Sequence, residues 1–120
     1  MPKKLKIIMC PIDEEPYETE VEDKLEDLQK LVGGYIEVVR FGDVEDNYTR
    51  YFVVCNEEGL IMKLPYNCHV CDFPFVGNIF IVKDDSPEFG SVKPGLLARF
   101  KEKYWKRDKD DFIRQLKENL

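Results

Sequence analysis

The sequence lacks most of the signatures by which a small protein declares a chemistry. There is no Gly-x-x-x-x-Gly-Lys phosphate loop, no Gly-x-Gly-x-x-Gly dinucleotide turn and no His-Glu-x-x-His metal pair. His69 is the single histidine, so a Ser-His-Asp system has one possible centre, and no nucleophile elbow accompanies it. No apolar run approaches the roughly 20 residues that a membrane span needs. The apolar stretch at residues 7–10 is too short for a signal-peptide core and has no small-residue cleavage site. Positive charge is also scarce: 18 Lys and Arg face 24 Asp and Glu, a net charge of −6, which argues against a general duplex-DNA binder. Enzymatic activity, cofactors, duplex nucleic acid and membranes are therefore not expected. The expected location is the cytoplasm, with the four cysteines reduced.

What is present reads as a globular α+β chain, 43% hydrophobic and 35% charged over 120 residues. Residues 5–10 form an apolar first strand that Pro11 ends. Thr19-Glu20-Val21-Glu22 has the spacing of a capping box, and Val21, Leu25, Leu28, Leu31 and Val32 follow at helical spacing. Gly33 fits the left-handed residue that closes such a helix, and Gly34 frees the chain to turn. Residues 35–41 and 51–55 are rich in β-branched and aromatic residues and predict strands. Asn56-Glu57-Glu58-Gly59 resembles a tight hairpin turn with Gly59 at positive φ, returning through Leu60-Ile61-Met62. Tyr66 and Asn67 fall in a looser region, and residues 75–82 predict one long strand with a bulge at Gly77.

Residues 84–95 read as a connector, residues 96–104 as a helix, and a last helix starts near Asp108 or Asp110 and turns Phe112, Ile113, Leu116 and Leu120 inward. The predicted fold is a mainly antiparallel sheet of about five strands, covered on one face by the first helix, with one or two C-terminal helices. Residues 1–92 form the α+β core in this reading, and residues 93–120 a helical extension on or beside it.

Three patterns carry chemistry. Cys68-His69-Val70-Cys71 has metal-ligand spacing, but a structural zinc site needs a second pair, and Cys10 and Cys55 sit in predicted strands as small hydrophobes. No metal is therefore assigned. The Asn56, Glu57 and Glu58 tip is either a solvated turn or a rim that bonds a ligand. The third pattern interleaves Arg99, Lys101, Lys103, Lys106 and Arg107 with Phe100, Tyr104 and Trp105. Arg99, Lys103 and Lys106 then share one helix side, with Trp105 free to stack on a base. The alternative is a solvated basic face near a helix C-terminus.

Three segments together carry a resemblance. They are Leu25-Glu26-Asp27-Leu28-Gln29-Lys30-Leu31-Val32-Gly33-Gly34-Tyr35-Ile36-Glu37, then Val54-Cys55-Asn56-Glu57-Glu58-Gly59 with Leu64-Pro65-Tyr66-Asn67, then Phe75-Val76-Gly77-Asn78-Ile79-Phe80-Ile81-Val82. In this order, over roughly residues 5–83, the chain resembles the family known as domain of unknown function 3846. The resemblance implies a phage or mobile-element origin in a bacterial host, and no catalytic residues. Sterics explain the glycines but do not demand Gln29, Glu37, Asn56 or Asn67.

The expected function is non-enzymatic binding of a small ligand, such as a nucleotide immune signal, in an anti-defence role. Its ligand site would combine Gln29, Glu37, Asn56, Glu57, Asn67, Arg99, Lys103, Trp105 and Arg107, across a homo-oligomer. The alternative is inhibition of a host defence protein through the acidic half, residues 13–27 with 43–46. Residues 1–60 carry 15 Asp and Glu against 7 Lys and Arg.

Overall fold

The computed structural model describes residues 3–119. The chain runs β1 (Lys4–Cys10), β2 (Tyr17–Glu22), α1 (Leu25–Val32), β3 (Ile36–Asp43), a 3-10 turn (Val44–Asp46) and β4 (Thr49–Asn56). It continues through β5 (Tyr66–Val70), β6 (Phe73–Val76), β7 (Ile79–Asp85), β8 (Glu88–Gly90), α2 (Leu96–Arg99), a π-helical turn (Phe100–Tyr104), β9 (Trp105–Lys106) and α3 (Lys109–Glu118). No helix among the described residues is long and apolar enough to cross a membrane.

The fold is α+β and mainly antiparallel. A large sheet has the order β2-β1-β7-β4-β3, with β8 paired to the far end of β7, and a second, three-stranded sheet has the order β6-β5-β9. Alternation along the central strands separates two cores. Leu5, Ile7, Phe52, Val54, Phe80 and Val82 face α1, where Leu28 and Val32 cover them. Ile8, Cys10, Tyr51, Val53, Ile79 and Ile81 face the other way, against the small sheet and the buried Leu96 and Phe100. The large sheet is thus covered on both faces, where the helix pattern alone accounted for one. Residues beyond 93 build this second layer from inside the core, through Leu96 and Phe100, and add β9 to the small sheet.

Several local expectations change. Thr19 caps no helix: it sits in β2 opposite Ile7 of β1. Tyr17, Thr19 and Val21 alternate with glutamates at period two, and pairing the bare edge of β1 outweighs the capping pattern. The helix begins at Leu25 after Lys24, which makes no side-chain cap. Its far end is as expected, with Gly33 at φ 81°.

Leu60-Ile61-Met62 is not a returning strand. Residues 57–63 wind as consecutive turns, with Met62 N–H donating to the Glu58 carbonyl at 2.8 Å, and all three side chains are exposed. Gly59 is needed for space rather than for φ, because a Cβ there would meet Val76 Cγ2 at 2.8 Å. Tyr66 and Asn67 lie in β5 and not in a loop. The apolar run at residues 75–82 is two strands in two sheets, and Gly77, at φ 73°, is the break between them. The connector at residues 84–95 contains β8, folded back on β7.

At the C-terminus the helix from Leu96 ends at Tyr104 and the chain becomes strand β9, so Lys106 does not share a helix side with Arg99 and Lys103. α3 starts after Asp108, whose carboxylate accepts from Asp111 N–H at 3.0 Å. Phe112 is half-buried, but Ile113 and Leu116 remain exposed rather than turning into the core. Leu120 lies outside the described residues.

Candidate functional site

Two sheets packed face to face close over a core only where side chains fill the gap between their edges. Here one side stays open. β3 is the last strand of the large sheet and β6 the last strand of the small one, and between them runs a groove of about 560 Å³. Volumes of this order suit a small organic ligand or a few side chains of a partner. Val39, Cys55, Phe75 and Val76 form its floor, the turn at Leu60 and Ile61 forms one lip, and α3 supplies a wall through Phe112 and Leu116. Phe73, Leu60 and Ile61 expose more than half of their surface at the mouth. That apolar rim is unusual for side chains with nothing to cover them.

The charge of the groove has one sign. Glu37, Glu57 and Asp72 line it, and no lysine or arginine does. The nearby Lys106 is engaged with Asp72 at 3.0 Å. Asp72 belongs to the two-residue turn between β5 and β6, where Cys71 (φ 50°) and Asp72 (φ 65°) both adopt left-handed backbone. This is the hairpin conformation whose twist matches the strands, reached here without the usual glycine.

The wall is fastened by the only histidine. His69 is fully buried in β5. The Tyr66 hydroxyl lies 2.6 Å from its Nδ1, and Asp111 Oδ2 lies 2.9 Å from its Nε2. A carboxylate only accepts, so Nε2 carries a proton, and on the neutral ring Nδ1 is then the acceptor for the Tyr66 hydroxyl. The Tyr66 oxygen in turn accepts from Asp108 N–H at 3.0 Å, and its ring stacks on Phe112 at 4.9 Å. Burial raises the Asp111 pKa, but hydrogen bonds from Gln115, His69 and Arg114 outweigh it and hold the carboxyl below its usual range.

The nine residues singled out from the sequence divide into separate places. Glu37, Asn56 and Glu57 come together at the groove. Asn56 is buried behind its rim, donating to the Val32 carbonyl at 3.2 Å and accepting from Glu58 N–H at 2.8 Å, so it ties the end of α1 to the turn. Gln29 is half-buried on α1, whose helix covers the opposite face of the sheet. Asn67 is buried and donates to the Cys10 and Gly77 carbonyls, both at 2.8 Å, clamping β5 to its neighbours.

The basic residues pair within the chain. Arg99 donates to the buried Asp43 through Nε and Nη2 at 3.0 and 2.6 Å, and Lys103 pairs with Glu45. Arg107 donates to the Asn67 and Pro11 carbonyls and lies 5.0 Å from the centre of the Trp105 ring, which packs half-buried on the core. These four do not line the groove.

The sequence reading missed Leu60, Ile61, Phe73, Phe112 and Leu116. The available signal was an apolar run, Leu60-Ile61-Met62, directly after an acidic turn and without strand alternation. Cys68 is buried, which pushes its thiol up to about 12, whereas Cys71 is exposed on the turn. Among the described residues no group of three or more His, Cys, Asp or Glu side chains is placed to hold a metal ion.

Comparison with curated proteins and with solved structures gives no match. The family model described as "Domain of unknown function (DUF3846)" matches residues 5–105, which carries the resemblance past residue 83 through α2 and into β9. The groove floor and lip fall within the matched residues and the α3 wall beyond them. The chain belongs to the DUF3846 family.

Proposed function

We propose that this is a non-enzymatic binding protein of a phage or mobile element, working against host defence in the bacterial cytoplasm, with the groove between β3 and β6 as its ligand site. The observation that supports the site is the groove itself, with its apolar floor and rim and its three carboxylates unaccompanied by a lining cation. The phosphates of a nucleotide signal would meet repulsion from Glu37 and Glu57, with Asp72 already paired to Lys106, so the groove favours an apolar ligand that is neutral or cationic.

Titration with the neutral apolar dye Nile red, followed by fluorescence, tests this. Wild-type protein should bind the dye, Phe73→Asp should weaken binding about tenfold or more through loss of apolar contact, and cyclic nucleotides should not compete. Equal dye binding by wild type and Phe73→Asp would overturn the assignment, as would displacement of the dye by a nucleotide.

A second reading, inhibition of a basic host protein through an acidic face, is favoured by β2. This strand forms the opposite edge of the large sheet and leaves Glu18 and Glu20 exposed. Under that reading, Glu18→Lys with Glu20→Lys abolishes capture of the host partner, while Phe73→Asp leaves it intact.

A further inference from the structure

The groove runs beside a second unfilled feature. β3 pairs with β4 along all eight of its residues, and among the described residues no strand pairs its other side. The phase of this ladder follows from one bond. Tyr35 and Glu57 are opposite each other in the extended register, and Glu57 N–H donates to the Tyr35 carbonyl at 2.8 Å. Hydrogen-bonded pairs alternate along an antiparallel ladder. Glu37 and Val39 therefore turn their N–H and C=O groups toward β4, and Ile36, Val38 and Arg40 turn theirs outward. Side chains alternate with the same period, and those of Glu37 and Val39 line the groove. A strand added outside β3 would send every second side chain to the same face, into the groove.

The edges at β2 and β6 are blunted, and β9, the remaining edge of the small sheet, is only two residues long. β2 alternates glutamates along its length, and β6 carries Pro74, which has no N–H to offer. β3 has eight residues, no proline and a β-branched centre at Val38 and Val39. Charge selects the occupant. A second copy of this chain pairing through β3 would bring two acidic grooves together, and like charges across a strand pair are unfavourable. A segment with lysine or arginine on its groove side meets Glu37 and Glu57 instead.

We propose that the groove takes an extended polypeptide segment, which adds to the outer edge of β3 as a strand, drops alternate apolar side chains onto Val39 and Phe75, and sets one basic side chain against Glu37 and Glu57. This rests on the groove being the ligand site, and it narrows the ligand to a protein segment.

The probe is a capped peptide, Val-Thr-Lys-Thr-Val-Thr-Val, whose first, third, fifth and seventh side chains share a face. Binding should slow amide exchange at Val38 and Arg40, two of the outward-facing donors. Replacing its lysine by glutamate should weaken binding on the order of tenfold. Val38→Pro removes an outward donor without touching the β4 ladder and should lose the peptide while still binding Nile red. N-methylation of the peptide gives the same test without altering the protein: methyl groups on one alternate set of amides should abolish binding, and on the other set should leave it. Peptide binding that ignores Val38→Pro, or that responds equally to the two methylated sets, overturns strand addition. Dye binding without peptide binding overturns it too but leaves the groove as a ligand site, whereas failure of both removes the groove reading as well.

Discussion

Replacing Asp43 by asparagine isolates the charge that holds the second layer to the large sheet. Asp43 is fully buried at the end of β3. Its Oδ2 accepts from Arg99 Nε and Nη2, and its Oδ1 accepts from the Tyr104 hydroxyl at 2.7 Å and from Glu45 N–H at 3.3 Å. An amide keeps the volume but makes one of the two terminal atoms a donor. Whichever way the amide turns, its NH2 then faces another donor, either the guanidinium or the Glu45 N–H. One such buried mismatch costs about 1–3 kcal/mol, and loss of the charge-assisted bonds from Arg99 adds to it. Arg99 remains 26% exposed and regains water, which trims the total. The expected net loss is about 2–4 kcal/mol, and at about 4 °C per kcal/mol for a chain of this size Tm falls by about 8–16 °C.

The sign with pH separates charge from packing. Burial raises the Asp43 pKa, but hydrogen bonds from Arg99, Tyr104 and Glu45, with the guanidinium charge, bring it below the ordinary 3.8. A carboxyl with a depressed folded pKa contributes stability above its unfolded pKa and loses it as pH falls through the folded value. Urea unfolding followed by circular dichroism should therefore show the full gap between wild type and Asp43→Asn at neutral pH. The gap should narrow as pH falls below 3.8. A gap that stays constant across that window would refute the ion-pair account and assign the loss to packing alone. Binding of Nile red at neutral pH should be unchanged below Tm, since Asp43 does not line the groove.

Three further outcomes follow from the same contacts. Gly34→Ala would set a Cβ 2.9 Å from Asn56 Nδ2 and push that side chain off the Val32 carbonyl and Glu58 N–H; a loss of about 1–3 kcal/mol in urea unfolding is expected. Tyr66→Phe removes the donor to buried His69 and the acceptor for Asp108 N–H, costing about 1–3 kcal/mol, and amide exchange across α3 should accelerate more than exchange in β7. Brief iodoacetamide treatment should modify Cys71 alone: burial pushes Cys55 up to about 11 and Cys68 up to about 12 and raises Cys10 well above its ordinary value, and all three thiols are buried. Intact mass after labelling, with and without denaturant, reads this directly.

How much of this was legible in the sequence depended on whether the signal was local. α1 and its Gly33 close were readable because helical periodicity and a left-handed residue are properties of a few neighbours. β4 and β7 were readable from runs of β-branched and aromatic residues. β2 was not, since Thr19-Glu20-Val21-Glu22 satisfies a helix cap and an alternating strand equally, and the choice rests on the distant edge of β1. The break at Gly77 was hidden because the residues on both sides are apolar for different reasons, Phe75 serving one sheet and Ile79 the other. The groove was least legible of all. β3, β4, β6, the turn at residues 57–63 and α3 each supply part of it, and only the packing of two sheets brings them together. Glu37 and Asn56 stand where no steric demand explains them and Glu57 sits on the acidic turn, whereas Gln29 and Asn67, equally unexplained by sterics, lie away from the groove.

The division of the groove between matched and unmatched residues bears on what the proposed strand addition would recognise. Val39, Cys55, Phe75 and the acidic pair Glu37 and Glu57 lie within the family match, so an apolar floor with negative charge is built from the shared part of the chain. Phe112, Gln115 and Leu116 lie beyond it. α3 buries no residue fully, and its hold on the sheet comes from the Tyr66–Phe112 stack and the hydrogen bonds through His69 and Asp111. A wall anchored at one end by a few side chains can shift with modest cost while the floor stays rigid between two β-sheets. The floor and the β3 edge would then set which backbone and charge can dock, and α3 would set how large the side chains entering the groove can be. Variation at Phe112 and Leu116 should therefore change which peptide side chains fit, and variation at Glu37 or Val38 should change whether a peptide binds.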